Sequence, residues 1–297
     1  MNREPKSESG FMLNWKILSI FGMVVFASAA GAFHWLTAPQ ELPQANQHTT
    51  LRPVAPSLTV TSDDAIPAAD RPATPMDEYR LLLDRAEDYL QSTEGYTATF
   101  IRQVRKDGEL LDREQVAIKI RHDPFAVYMK WQDDDGQEAL YADGENDGKV
   151  LARRSRGFFR NTIKLDPTSR MAMEDSRYPI YELGMLELVR NAKEALSACP
   201  DIDAIGCEAE PAQFDGQPTL RYTITFDSPE LQPVYSKCVI YFTIENPMPL
   251  QITSDGWKED GSPQELIEHY HYQNVQMNPG FAPDEFKPEH EAYAFRR

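Results

Sequence analysis

The sequence predicts a mainly β (α+β) domain in residues 76–297: a curved antiparallel half-barrel sheet of about 9–11 strands, covered by two helical regions. Three observations predict it. Short β-branched and aromatic runs follow one another closely, joined by tight acidic turns. Two stretches, 76–91 and 180–197, carry apolar residues at helical spacing instead. The gaps between strands are too short for crossover helices, which selects an antiparallel meander over βαβ units. A twisted sheet of that size tends to curl.

Ile17 to Leu36 contains no Asp, Glu, Lys or Arg and is mostly apolar. As a helix it spans about 30 Å, the thickness of a bilayer core. Residues 1–16 precede it as a cytoplasmic n-region, with Arg3, Lys6 and Lys16 against Glu4 and Glu8. The segment 17–36 reads as a signal peptide or a transmembrane anchor. Ala27-Ser28-Ala29 and Ala30-Gly31-Ala32 suit cleavage; Trp35 suits an interfacial anchor. Residues 37–75 hold seven prolines, from Pro39 to Pro75, among Thr, Ser, Ala and Gln. They read as a disordered Pro/Thr-rich linker, too poor in apolar side chains to offset the entropy of ordering.

The first helix is expected from Met76, Tyr79, Leu82, Leu83, Ala86, Tyr89 and Leu90, an apolar stripe opened by Pro75 and stopped near Gly95. Strands are expected over Tyr96–Val104, Val116–Ile120, Phe125–Trp131, Ala139–Ala142 and Lys149–Arg154. A second helical region follows, carried by Leu183, Leu186, Val189, Ala192 and Leu196. Strands resume at Leu220–Phe226, Tyr235–Ile244, Pro249–Trp257 and Leu266–Tyr272. The aromatic tail from Asn278 to Phe295 is expected to pack back onto the sheet.

Residues 76–297 carry nearly all of the net charge of −17, which argues against nucleic-acid binding. Cys199 and Cys207 flank a short acidic loop and form the expected disulfide in an oxidising compartment, leaving Cys238 in an apolar strand. His269 and His271 face the same way along a strand, and with Glu268 could approach a metal, but half-exposed strand residues are the simpler reading. Asp143-Gly144-Glu145-Asn146-Asp147-Gly148 opens like a calcium loop, yet Arg154 stands where the closing acid is required, so it reads as a hairpin turn. No zinc-hydrolase, serine-hydrolase, phosphate-loop or dinucleotide motif occurs. No cofactor and no catalytic residue are expected. Against the acidic background, Lys149, Arg153, Arg154, Arg156, Arg160 and Lys164 cluster without an acid around Phe158-Phe159. This run is either a solvated hairpin face or a patch meeting an anionic lipid headgroup.

The runs Tyr96-Thr-Ala-Thr-Phe-Ile-Arg-Gln-Val104 and Pro124-Phe-Ala-Val-Tyr-Met-Lys-Trp131, then Gly136, Leu140-Tyr141 and Gly144, resemble the DUF1571 family of planctomycete-type envelope proteins. Arg177-Tyr-Pro-Ile-Tyr-Glu-Leu-Gly184 and the tail from Asn278 fit the same pattern. More distantly, the helix followed by a strand with Phe100 and Gln103 is similar to the LolA-like periplasmic lipoprotein-carrier fold. That resemblance implies a curved, helix-lidded sheet with an apolar cavity for acyl chains. It also implies a functional arginine, for which Arg102 and Arg121 are the candidates.

The functional expectation is a non-enzymatic protein of the bacterial periplasm or cell envelope. It is exported, and anchored to the inner membrane by 17–36 if that segment is uncleaved. A lipid, lipoprotein acyl chain or other apolar ligand is expected in a cavity between sheet and helices. Leu82, Leu83, Tyr89, Phe100, Tyr128, Trp131, Leu186 and Val189 are the expected cavity or lid residues. The alternative is a structural or protein-interaction module of the envelope with a packed core and no cavity.

Overall fold

Helix α1, Pro75–Gln91, starts where the sequence places it. Thr74 Oγ1 accepts from Asp77 N at 3.1 Å, and the Asp77 carboxylate accepts from Thr74 N at 2.9 Å, a reciprocal capping box. The computed structural model describes residues 74–132, 136–153 and 161–295, all within the unit Ala65–Arg297. Tyr79, Leu82, Leu83, Ala86 and Leu90 of α1 are buried, the stripe read from their spacing.

Seven strands follow: β1 (Gly95–Lys106), β2 (Glu109–Leu110), β3 (Glu114–Arg121), β4 (Ala126–Trp131), β5 (Glu138–Ala142), β6 (Val150–Arg153) and β7 (Thr162–Leu165). An irregular segment, 166–184, leads to helix α2, Met185–Ser197. The chain then forms β8 (Gly206–Phe214), β9 (Gln217–Thr225), β10 (Lys237–Thr243), β11 (Pro249–Trp257) and β12 (Pro263–Met277).

The strands form one 12-stranded sheet in the order β7-β6-β5-β4-β3-β1-β12-β11-β10-β9-β8, with β2 paired to β1 alone. Each pairing is antiparallel, and β1 meets β12 with Phe100 opposite Tyr272 and Gln103 opposite His269. This corrects the expected curved half-barrel of 9–11 strands. The sheet is open, with β7 and β8 as its edges, and is neither closed nor strongly curled. Curling was expected as the way to hide a large apolar sheet; here separate elements cover it. Both helices pack on one face over Phe100, Ile118, Ile240 and Tyr272, while Phe286, Tyr293 and Phe295 of the tail cover Tyr128, Leu140 and Leu151 on the other.

The expectation of a transmembrane segment is corrected to this extent: among the described residues, no helix is long and apolar enough to cross a membrane. Residues 17–36, on which it rested, and the linker 37–75 lie outside or almost wholly outside the described residues.

Candidate functional site

Alternation along the central strands sends Phe100 and Arg102 of β1, Met129 and Trp131 of β4, and Glu268, Tyr270 and Tyr272 of β12 toward the helices. The helices do not fill the space above them. A cleft of about 220 Å³ remains, roofed by Leu188, Ala192 and Ala195 of α2 and by the segment from Pro167 to Gly184. Its lining is mostly apolar, with Ile224, Phe226, Ile240 and Ile252 on the floor toward β9. The small side chains of Ala192 and Ala195 on α2 leave the space beneath the roof unfilled. Gly184, where the roof enters α2, has φ +121, and a Cβ there would sit 3.0 Å from Ile120 and 3.2 Å from the Tyr96 hydroxyl. That hydroxyl accepts from Met185 N at 2.9 Å, fixing the helix start against β1.

Two polar clusters interrupt the apolar lining. At one, buried Arg102 pairs with Glu114 at 2.5 Å and lies over the Trp131 ring at 5.8 Å, while Trp131 Nε1 donates to the same carboxylate at 3.1 Å. At the other, Glu268 is 3% exposed and is fully engaged. Its Oε2 accepts from Arg177 Nε at 3.1 Å and from the Tyr178 hydroxyl at 3.1 Å, and its Oε1 from Ser254 Oγ at 3.2 Å. Tyr178 and Tyr235 place their hydroxyl oxygens 2.7 Å apart. Burial first, and then the Glu268 charge, hold both phenols above their ordinary range. The roof segment is also held by Lys106 Nζ, which donates to Met173 O at 3.0 Å and Ser176 O at 2.9 Å.

Of the residues expected at a cavity, Phe100 and Trp131 line the cleft. Leu82, Leu83, Leu186 and Val189 are buried in the same core without lining it, and Tyr89 packs at its edge. Tyr128 is on the opposite face, stacked on Tyr293. Arg102 lines the cleft, whereas Arg121 lies over Phe286 beneath the tail. Sequence reasoning named Glu268 only beside His269 and His271 as a possible metal group, and it missed Tyr235, Arg177 and Tyr178 as site residues. Their signal was available only as a charged residue at an inward position of β12 and as tyrosines in a stretch with no period.

The described members of the basic run are engaged separately. Lys149 pairs with Asp166 at 2.9 Å, Lys164 with Asp147 at 3.4 Å, and Arg153 lines the cleft and donates to Gly136 O at 3.0 Å. Arg154, Arg156 and Arg160 lie outside the described residues. The expected Cys199–Cys207 disulfide is also corrected: both thiols are free. Cys199 follows α2, with its Sγ turned back to donate to Ala195 O at 3.2 Å. Burial pushes the Cys207 thiol up to about 11. Among the described residues, no group of three or more His, Cys, Asp and Glu side chains could hold a metal. His271 Nε2 lies 2.6 Å from Asp215, and His269 Nδ1 lies 3.1 Å from Thr253 Oγ1, both on the face away from the cleft.

An open antiparallel sheet with two helices on one face and an apolar cleft beneath them defines the class of this domain. The family described as "Protein of unknown function (DUF1571)" matches residues 93–295, and the chain belongs to it. No curated protein matches the sequence. Among solved structures it is distantly similar to MucB, at 12% identity and TM-score 0.42 over 71% of this chain. The chain spans 62% of the MucB chain. LprF from Mycobacterium bovis aligns at 10% identity and TM-score 0.41, over 70% of this chain and 97% of its own. A LolA superfamily protein from Nitrosomonas europaea aligns at 9% identity and TM-score 0.29, over 69% of this chain and 95% of its own.

Proposed function

We propose that this is an exported, non-enzymatic protein of the bacterial envelope that holds a lipid or acyl chain in the cleft between its sheet and α2. The observation that carries the reading is the cleft itself: about 220 Å³ with a mostly apolar lining and a few convergent polar groups. That volume exceeds the ~150 Å³ of an engineered apolar cavity known to stay dry and take up benzene. Each methylene transferred from water into such a space contributes about 0.8 kcal/mol, so a short chain offsets the cost of immobilising a ligand. The apolar segment 17–36 with its basic flank supports export.

Native mass spectrometry of the chain purified from cells, with organic extraction and analysis of what comes off, tests the reading. A co-purifying amphiphile, or saturable uptake of a fluorescent acyl probe displaced by unlabelled chains, is the expected result. A ligand-free protein that also ignores the probe overturns it.

A further inference from the structure

The proposal above names an apolar ligand; the hydrogen bonds in the cleft specify its polar end. Glu268 faces the Arg177 guanidinium, which can only donate, so the carboxylate acts as an acceptor toward all three of its partners. The Tyr178 hydroxyl must therefore spend its one hydrogen on Glu268 Oε2. Tyr235, 2.7 Å from that oxygen, must in turn donate to Tyr178. The direction of the chain is fixed from its charged end: Tyr235 to Tyr178 to Glu268. What remains at its far end is the phenol oxygen of Tyr235, in a residue that lines the cleft, with its hydrogen used and its lone pairs without a further partner among the described residues.

We infer that the cleft selects amphiphiles whose polar group donates a hydrogen bond, an alcohol, amide or amine, over those ending in a carboxylate or an ester. A donor placed against Tyr235 completes the chain. A carboxylate there meets only lone pairs, and an ester likewise has nothing to offer. The inference rests on the proposed occupancy of the cleft by an apolar chain, and the test separates the two.

Binding of decanol, decylamine, methyl decanoate and decanoate to the full chain is measured by calorimetry, in the wild type, Tyr235→Phe and Tyr178→Phe. The expected wild-type result is that decanol and decylamine bind about ten-fold more tightly than the ester and the carboxylate, the effect of one hydrogen bond to an otherwise unpaired buried acceptor. Agreement between the alcohol and the amine assigns the preference to donation; an advantage for the amine alone assigns it to the cleft's charge and overturns the inference. Tyr235→Phe abolishes the preference. Tyr178→Phe frees the Tyr235 hydrogen to donate outward, so the ester and carboxylate gain and the preference shrinks or inverts. The two variants probe the same chain from different ends, so one suffices if the other misfolds. Equal binding of all four probes, or a preference unchanged in both variants, overturns the inference while leaving the cleft reading intact. Failure of all four to bind overturns both.

Discussion

Tyr128 and Tyr293 lie ring on ring, with centroids 3.8 Å apart and planes 12° from parallel. This contact joins β4 to the C-terminal tail on the face opposite the cleft, and Lys119 lies 5.2 Å from the Tyr293 ring centroid. Tyr293→Ala removes a buried aromatic side chain that the neighbouring Phe295 and Phe286 cannot replace. The expected cost is about 3 kcal/mol by urea unfolding. A loss below about 1 kcal/mol would show the tail to be an ornament rather than part of the second core.

The pair Arg177–Glu268 fastens the roof of the cleft to β12. Glu268→Gln leaves the guanidinium facing a neutral amide in a site where the glutamate side chain is 4% exposed and the arginine 24%. Because the arginine retains some contact with water, the expected destabilisation is about 3 kcal/mol, at the low end for breaking a buried pair. Hydrogen exchange of amides in 173–183 should rise more than that of α1. Uniform exchange across both would argue that the pair does not act on the roof.

Stability is expected to fall on acidification through the histidine range. Burial first, and then Arg113 and His271, push the His269 imidazole from an ordinary 6.5 down to about 4. Burial lowers His122 as well. A folded-state value below the unfolded one means that the unfolded chain binds more protons between pH 6.5 and 4. The contribution is therefore complete above pH 6.5 and is lost as the pH falls toward 4. His269 is partly exposed, so its share is discounted to on the order of 1 kcal/mol. Glu87, lowered chiefly by the hydrogen bond from Lys193, adds a loss of the same sign at lower pH. Urea midpoints for wild type and His269→Gln between pH 7 and 4 test this; parallel curves would remove His269 from the account.

Occupying the cleft from within should block uptake without unfolding the domain. Ala192 faces the cleft from α2, and Ala192→Trp fills space that the sheet does not use. The expected outcome is loss of acyl-probe binding by at least about ten-fold with a stability change within about 1 kcal/mol. Undiminished binding by a folded variant would place the ligand elsewhere.

Much of this fold was legible in the sequence because burial wrote a period into it. The stripe from Tyr79 to Leu90 gave α1, and Pro249–Trp257 was read with the bounds it has as β11. β8 escaped because Gly206–Phe214 is an edge strand, largely exposed and containing Pro211, so neither alternation nor β-branching marks it. Tyr128 was assigned to the wrong face although it stands three residues from Trp131, an odd spacing that separates faces in any strand. The cleft's polar end was beyond reach for a different reason. Tyr178, Tyr235 and Glu268 come from a roof without period, a loop and the last strand, and only the assembled tertiary fold brings them together.

The position of β1 beside β12 constrains how the molecule is made. The two strands at the middle of the sheet come from opposite ends of the domain, with Gln103 facing His269. The sheet's centre therefore cannot form on a nascent chain until nearly all of it has emerged, and contacts so distant in sequence slow folding. The topology thus keeps the chain unfolded until its last strand is available.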